Sequence, residues 1–423
     1  MTQVLIIGYV WPEPRSSAAG SRMMELIHCF QTQDWQVTFA SPAALGPHME
    51  DLGQLNVNTV GIELNCDSFD RFVDALQPDI VLFDRFMMEE QFGWRVEKHC
   101  PGALRILDTI DLHFLRNARH QALKKQHPMV PEDLFSEMAQ REVASIYRSD
   151  LTLMISDYES QLLNSQFGVS ESLLHYLPFM LEPSVVQQTR PTFEERSHFV
   201  TIGNFRHAPN WDAVLWLKQQ IWPKIRKQLP HAEMHIYGAY PPPKATALDA
   251  PKDGFLVKGW AEDANEVIKT ARVLLAPLRF GAGIKGKLAD AMINGTPNVT
   301  TPIGAEAMSG GLPWGGLIED NTDDFAQAAI DLYQQDDLWH SCQRMGDNII
   351  SQVYDRQPLA TGLIQKIEHV RESLNSHRMQ NFTGAMLRHH HHRSTQFMSQ
   401  WIETKTRLAE LQQAHSIVTV ETE

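Results

Sequence analysis

Short runs of apolar and β-branched residues alternate with amphipathic helical runs along most of the chain, and this alternation restricts the fold more than any other feature. Strand-like runs occur at 3–9, 35–41 and 78–84, and the segments between them carry apolar residues at helical spacing. Strands that alternate with helices in this way form parallel sheets covered by helices on both faces. The sequence therefore predicts an α/β protein with doubly wound parallel sheets.

The alternation stops once and then starts again. A polar, proline-containing stretch at 183–197 separates the two series of strands and helices. A chain of 423 residues is also too long for a single compact core. We predict two Rossmann-like domains, 1–182 and 198–354, joined by this linker. Helices over 355–423 would follow them and cross back to the first domain.

Charge and cysteine content exclude several classes of protein. The formal net charge is −14, which argues against a nucleic-acid partner. Four cysteines lie far apart without a Cys-x-x-Cys pair, so free thiols in a reducing cytoplasm are expected. No apolar run approaches the roughly 20 residues that span a bilayer, and the amino terminus resembles a strand rather than a signal peptide. We expect a cytoplasmic protein, with peripheral contact to the inner face of the cytoplasmic membrane left open.

A glycine-rich stretch at 281–290 is almost a phosphate-binding loop of the Walker A type. It has the required glycines and a lysine at Lys287, and a strand-like run precedes it while a helical run follows. Leu288 stands where a Walker A loop needs a hydroxyl for Mg²⁺. The stretch also lies late in its domain, whereas a Walker A loop usually follows the first strand. Both points argue against a nucleotide triphosphatase.

The same residues can hold a phosphate without a metal. A glycine loop that leads into a helix offers free backbone N–H groups and the positive end of the helix dipole. Lys285 and Lys287 add positive charge, and Asp290 lies one helical turn after Lys287. A carboxylate in that place can accept hydrogen bonds from ribose hydroxyls. The pattern favours a site for a nucleoside diphosphate.

The stretch 280–308 closely resembles the donor-binding segment of retaining glycosyltransferases of the GT-B type, family 4, also called glycosyl transferases group 1. Segments 8–26, 199–214 and 256–268 resemble other parts of the same family, and the resemblance covers most of residues 1 to about 370. It implies the GT-B fold, with the acceptor bound to the first domain and the donor to the second.

The resemblance also implies roles for individual residues. Arg206 and Lys287 would stabilise charge on the leaving diphosphate, and His113 would orient the sugar or the acceptor. Asp108 and Asp111 would contact the acceptor. The donor would be bound by glycines and polar side chains around the cleft, which are Gly20, Arg22, Gly203, Gly259, Trp260, Gly281, Gly283, Lys285, Asp290 and Glu306. No metal site and no cofactor beyond the nucleotide-sugar donor is expected, because no Asp-x-Asp motif ends a strand of the donor domain.

Two departures from the family pattern concern its acidic pair, which is typically two glutamates separated by seven residues. The second glutamate is Asp290 here, one methylene shorter, and the first position falls near Ala282. The function that the resemblance implies is transfer of a sugar from a nucleoside-diphosphate donor, such as a UDP- or GDP-sugar, to a hydroxyl of a glycan or lipid-linked acceptor. Retention of the anomeric configuration and a setting in cell-surface polysaccharide synthesis are implied as well.

Other readings stay open at this point. A GT-B-fold sugar-nucleotide epimerase would use the same donor site, and a non-catalytic nucleotide-sugar or glycan binding protein would bind without turnover. A nicotinamide dehydrogenase is disfavoured because no Gly-x-Gly-x-x-Gly follows the first strand. The run His389–His392 is predicted to be a surface feature, since four adjacent histidines cannot all face one ion from a regular helix.

Overall fold

The computed structural model describes residues 1–183 and 189–420. Residues 184–188 of the predicted linker therefore lie outside the described residues. The described part contains two parallel sheets, one of seven strands and one of six, which confirms the predicted fold class. The sheets fall within the segments 1–182 and 198–354.

The first sheet has the strand order β3-β2-β1-β4-β5-β6-β7, and all of its pairings are parallel. Its order reverses between β1 and β4, which is where open α/β sheets bind ligands. Its strands are β1 (Gln3–Ile7), β2 (Gln36–Ser41), β3 (Asn58–Gly61), β4 (Ile80–Asp84), β5 (Leu104–Asp108), β6 (Leu151–Met154) and β7 (Leu174–Tyr176).

Successive side chains of these strands enter different cores on the two faces of the sheet. Leu5 and Ile7 join one apolar cluster, whereas Val4 and Ile6 join the other. This is the period-two geometry of a strand that is buried on both sides. The helices that cover the two faces are α1 (Ala18–Gln31), α2 (Ser68–Leu76), α3 (Phe86–His99), α4 (His113–Lys124), α5 (Glu137–Arg148) and α6 (Asp157–Phe167).

The second sheet repeats the doubly wound pattern in the order β10-β9-β8-β11-β12-β13. Its strands are β8 (Phe199–Ile202), β9 (Met234–Tyr237), β10 (Phe255–Gly259), β11 (Val273–Ala276), β12 (Asn298–Thr300) and β13 (Gly316–Ile318). Its helices are α7 (Ala208–Trp216), α8 (Trp222–Gln228), α9 (Pro243–Thr246), α10 (Ala264–Lys269), α11 (Gly286–Ile293), α12 (Pro302–Ala305), α13 (Thr322–Gln334) and α14 (Asp336–Val353). A π-helical turn, Leu217–Ile221, links α7 to α8.

The chain then returns to the first domain through helices at its carboxyl-terminal end. These are α15 (Arg356–Glu372), α16 (Leu374–Gln380), α17 (Phe382–Leu387) and α18 (Arg393–Val420). Helix α15 buries Leu363, Ile367 and Val370 in the core of the first sheet. In α16, Arg378 donates to both carboxylate oxygens of Asp150, at 2.8 and 2.7 Å, and so fixes the tail to the end of that sheet.

The histidine run only partly matches its predicted surface position. It forms a π-helical turn between α17 and α18, and the side chain of His392 is 8% exposed. Its Nδ1 lies 2.5 Å from a carboxylate oxygen of Glu97, and Nε2 lies 3.6 Å from Glu89. Burial lowers the pKa of His392, but the two glutamates outweigh burial and raise it. The ring therefore helps to hold the tail on α3, through acidic partners that are distant in sequence.

Two findings concern metal and membrane. The described residues contain no group of three or more His, Cys, Asp or Glu side chains placed to hold a metal ion. None of the described helices is both long enough and apolar enough to cross a membrane.

We expect Leu363→Ala to destabilise the first domain, because Leu363 of α15 is completely buried in its core. The loss should be about 2–5 kcal/mol, the usual cost of such a cavity. Urea unfolding measures it. Gly362→Ala is the matched control on the same helix, where an added methyl meets no atom within 4 Å. That variant should gain about 0.5–1 kcal/mol from helix propensity. Equal stability of both variants would show that α15 is not part of the first core.

Candidate functional site

The loops that follow the strands of the two sheets face each other across one cleft. In the second sheet the strand order reverses between β8 and β11. Gly203 follows β8 directly, and the glycine stretch at 281–286 lies between β11 and α11. Opposite them lie the loops that follow β1, β5 and β6 of the first sheet. The predicted anion-binding stretch therefore lies at the switch point where α/β sheets bind ligands.

Lys287 lies in the first turn of α11 and is held by Asn210 in the first turn of α7. Its ammonium donates to the side-chain oxygen of Asn210 at 2.9 Å, and Asn210 donates in turn to the backbone oxygen of Asn204 at 3.1 Å. A Cβ on Gly203 would lie only 2.6 Å from the Asn210 amide nitrogen and 2.9 Å from the Lys287 ammonium. Gly203 is thus required for the ammonium to reach the strand end.

Burial changes the protonation of the two charged groups on this face of α11. It lowers the pKa of Lys287 to about 8, although the nearby carboxylate of Asp290 favours the charged ammonium. Burial also raises the pKa of Asp290 to about 7, against the attraction of Lys287. No donor among the described residues bonds to the Asp290 carboxylate. Both groups are therefore costly to bury as they stand and would gain from a polar ligand.

The glycine stretch packs directly against the first domain. The backbone N–H of Gly283 donates to Glu159 of α6 at 2.7 Å. Gly283 has φ +62, and a Cβ there would lie 2.9 Å from Cβ of Asp111 and 3.1 Å from the backbone oxygen of Ile110. Only glycine allows both this backbone conformation and this close approach. The glycine stretch, which we call the donor loop after its predicted role, is thereby held against the end of β5.

Lys285 and Glu306, both predicted to bind the donor, have partners within the protein. Lys285 is buried, and its ammonium donates to the backbone oxygen of Gly283 at 2.6 Å. Glu306 accepts two hydrogen bonds from Arg119 of α4, at 2.6 and 2.8 Å, and Arg119 also donates to the backbone oxygen of Gly281 at 2.8 Å. Arg119 thus joins Glu306 and the glycine stretch to the first domain, whereas Lys285 bonds within the stretch. A donor role for Lys285 or Glu306 requires that these contacts be shared or exchanged.

Arg206 and Trp260 line the other end of the cleft. The Arg206 guanidinium lies 3.7 Å from the centre of the Tyr240 ring, and the side chain is exposed. The Trp260 ring stacks on His48 of the first domain, with ring centres 4.0 Å apart. Gly259, just before Trp260, has φ +76, a conformation that favours glycine. The structure thus brings both residues to the cleft that contains Lys287.

The predicted residues of the first domain divide into a buried pair and a cleft group. Arg22 and Asp108 are fully buried and share hydrogen bonds of 2.8 to 3.1 Å, and Arg22 also donates to the backbone oxygen of Leu177 at 2.7 Å. This pair neutralises itself and ties α1 to β5. Gly20 lets α1 approach the backbone of Glu13, where a Cβ would come within 2.4 Å. All three residues therefore stabilise the part of the first domain that lies beneath the surface of the cleft.

Asp111 and His113 form the cleft group of the first domain. Nε2 of His113 lies 3.4 Å from Asp111, which also pairs with Arg116. Burial lowers the pKa of His113 to about 4, so its ring is neutral near pH 7. Burial raises the pKa of Asp111, but Arg116 and His113 outweigh it and lower that pKa to about 2. The pair offers a charged acceptor and a neutral ring, which suits hydroxyl groups.

Sequence reasoning missed several residues that shape this site. Asn210 could have been found, because it is a polar side chain at a helix start just after β8. Apart from Tyr240, which follows β9, the others lie in the opposite domain, and no local pattern in the sequence links them to the glycine stretch. They are Glu13, His48, Arg116, Arg119, Glu159 and Tyr240.

Two facing Rossmann-like domains are the architecture of the GT-B class of protein. Residues 196–335 match the family described as Glycosyl transferases group 1. This match covers most of the second domain and confirms the resemblance predicted from the sequence. No curated protein matches the chain.

Solved structures with the same fold are distant in sequence. TarM of S. aureus, solved with UDP, fondaparinux and alpha-GlcNAc-glycerol, has a TM-score of 0.67 at 10% identity, over 88% of this chain and 100% of that chain. Sucrose-phosphate synthase of Thermosynechococcus elongatus has a TM-score of 0.64 at 13% identity, over 88% and 100%. HepE of Anabaena, solved with UDP and glucose, has a TM-score of 0.63 at 12% identity, over 87% and 100%. These similarities confirm the GT-B fold.

We expect Gly203→Ala to leave the protein folded but to weaken nucleoside diphosphate binding at least tenfold. The added methyl would displace Asn210 and with it the Lys287 ammonium. Isothermal titration calorimetry measures the affinity. Gly102→Ala is the control, because an added Cβ there meets nothing within 4 Å. Unchanged affinity in Gly203→Ala would show that the contact between Asn210 and Lys287 does not position a ligand-binding group.

Proposed function

We propose that the protein transfers a sugar from a nucleoside-diphosphate donor to a hydroxyl acceptor with retention of the anomeric configuration. The family match of the second domain supports glycosyl transfer, and the sequence resemblance implies retention. A polysaccharide, another glycan or a lipid-linked sugar is the class of acceptor we propose, in the cytoplasm or at the inner face of the cytoplasmic membrane.

One observation carries this proposal. The Lys287 ammonium is held by Asn210 above Gly203, at the switch point of the second sheet and at the amino-terminal end of α11. A cation, a glycine loop and a helix amino terminus at one strand edge form an anion site suited to a diphosphate. Asp290, one turn further along α11, would accept hydrogen bonds from the ribose.

Catalysis would consist of charge stabilisation on the leaving group. The acceptor oxygen forms a bond to the anomeric carbon while the bond from that carbon to the diphosphate oxygen breaks. The hydroxyl proton passes to the departing phosphate oxygen. Lys287 and Arg206 would stabilise the negative charge that develops there, as preorganised groups do in other enzymes. We propose that these two residues touch the leaving group.

The first domain supplies no obvious base for the acceptor proton. Asp111 is the carboxylate beside His113. Its pairing with Arg116 helps to keep its pKa at about 2, which makes it a weak base. We propose that Asp111 and the neutral ring of His113 hold sugar or acceptor hydroxyls by hydrogen bonds. Proton transfer to the leaving phosphate is consistent with this arrangement.

The donor base is proposed to lie near Gly259 and Trp260. TarM and HepE were both solved with UDP, which makes UDP the first nucleotide to test. No metal is required by this proposal, in which Lys287 and Arg206 supply the positive charge.

The pH dependence of donor binding follows from Lys287. A lysine carries its charge below its pKa, and burial lowers the pKa of Lys287 to about 8. We expect nucleoside diphosphate affinity to fall by up to about tenfold per pH unit above that pKa. Lys287→Arg should flatten the profile, because arginine stays charged. The same steep fall in Lys287→Arg would assign the pH dependence to another group.

Turnover distinguishes transfer from the alternatives. The protein is incubated with UDP- and GDP-sugars, with and without candidate acceptors, and proton NMR follows the nucleotide released and the anomeric configuration of the new product. We expect nucleotide release with a retained anomer, and a loss of at least about 100-fold in Arg206→Ala and Lys287→Ala. Tight donor binding without release would favour a binding protein. Conversion of one nucleotide sugar to another without release would favour an epimerase.

A further inference from the structure

Arg206 is placed by an aromatic ring instead of by an acidic partner. Its guanidinium lies over the Tyr240 ring, with 3.7 Å from Cζ to the ring centre. Within the described residues no carboxylate forms an ion pair with Arg206. A guanidinium that stacks on an aromatic ring still directs its N–H groups outward in its own plane. It can therefore donate two hydrogen bonds to one anion. The ring therefore fixes the position of Arg206 without neutralising it.

Tyr240 in turn is held by the opposite domain. Its hydroxyl donates to Glu13 in the loop between β1 and α1, with distances of 2.8 and 3.1 Å to the two carboxylate oxygens. Ser16 also donates to Glu13. The loop around Gly46 closes over the same carboxylate, because a Cβ on Gly46 would lie 2.6 Å from Glu13 Oε1. The contact is thus a packed link between the two domains.

The backbone of Tyr240 supports the same conclusion. Tyr240 has φ +55, which non-glycine residues rarely adopt, and Pro241 follows it. A residue before proline is normally extended, so this conformation is unfavourable on its own. Such residues persist where the surroundings determine them, and they occur often at ligand sites. Here the surroundings include the hydrogen bond to Glu13.

We propose that Tyr240 is a positioning residue that presents the Arg206 guanidinium to the donor diphosphate. Glu13 of the first domain holds the Tyr240 side chain in place by accepting the hydrogen bond from its hydroxyl. This inference rests on the proposed function, because it requires that Arg206 binds the diphosphate. It adds that the first domain takes part in donor binding as well as acceptor binding. Arg206 reaches its working geometry only when the loop after β1 meets the loop after β9.

The link has a consequence for different parts of the donor. Tyr240 acts through Arg206, so its loss should weaken binding of the phosphates and leave binding of the nucleoside unchanged. A tyrosine that only packed the domains together would affect both alike. The comparison of a nucleoside diphosphate with its nucleoside therefore separates positioning from simple structural support.

The test uses the full chain and whichever of UDP, GDP, ADP and TDP binds best. Calorimetry measures the affinity for this diphosphate and for its nucleoside in wild type, Tyr240→Phe and Glu13→Gln. We expect Tyr240→Phe to weaken diphosphate binding about three- to tenfold, since one charge-assisted hydrogen bond is lost. Glu13→Gln should act in the same direction, and nucleoside affinity should stay constant. Tyr176→Phe, at the end of β7, is the matched control.

A double-mutant cycle completes the test. In an Arg206→Ala background, Tyr240→Phe should have no further effect on diphosphate binding, because the group it positions is absent. Equal diphosphate affinity in wild type and Tyr240→Phe, or an equal loss for the nucleoside, would overturn the inference. Lys287→Ala distinguishes a failure of the positioning role from a failure of the proposed donor site. If Lys287→Ala abolishes binding while Tyr240→Phe changes nothing, the proposed donor site stands and the positioning role fails. If no diphosphate binds to the wild type, both fail.

Discussion

The geometry of the cleft depends on the hydrogen bonds that the Glu159 carboxylate accepts. This carboxylate is fully buried, and one of its oxygens accepts hydrogen bonds from the backbone N–H groups of Leu112 at 3.1 Å and Gly283 at 2.7 Å. Leu112 precedes α4 in the first domain, and Gly283 belongs to the donor loop of the second. Burial raises the pKa of Glu159 to about 7, so the site is costly unless both donors are present. One side chain thereby ties the two domains together at the cleft.

Near this contact several charged side chains of the cleft form ion pairs, within the first domain or between the two domains. Arg119 neutralises Glu306, and Arg116 neutralises Asp111. Lys287, Arg206 and Asp290 form no ion pair of this kind among the described residues, and they lie at the strand edge of the second sheet. We propose that these two cations and one carboxylate contact the two phosphates and the ribose of a nucleoside diphosphate.

The sequence predicts the parts of this structure that depend on local pattern. Strand–helix alternation predicts the two parallel sheets, which the structure confirms. The anion site that the glycine stretch and Lys287 predict at the start of α11 stays a prediction. Contacts between distant segments could not be predicted, because no periodicity or motif connects Glu159 to Gly283 or Glu13 to Tyr240. The burial of Arg22 with Asp108 was missed for the same reason, since each residue alone resembles a polar group at a strand end or helix start.

The most direct test of the account is calorimetric titration of the wild type and Lys287→Ala with UDP, GDP, ADP and TDP in the presence of a chelator, beside ATP with Mg²⁺. The account predicts that one nucleoside diphosphate binds without a metal and that Lys287→Ala weakens this binding by about 100-fold or more, as expected when a charged phosphate contact is lost from a partly buried site. Binding of ATP with Mg²⁺ alone, or equal affinity of both proteins for the diphosphate, would contradict it.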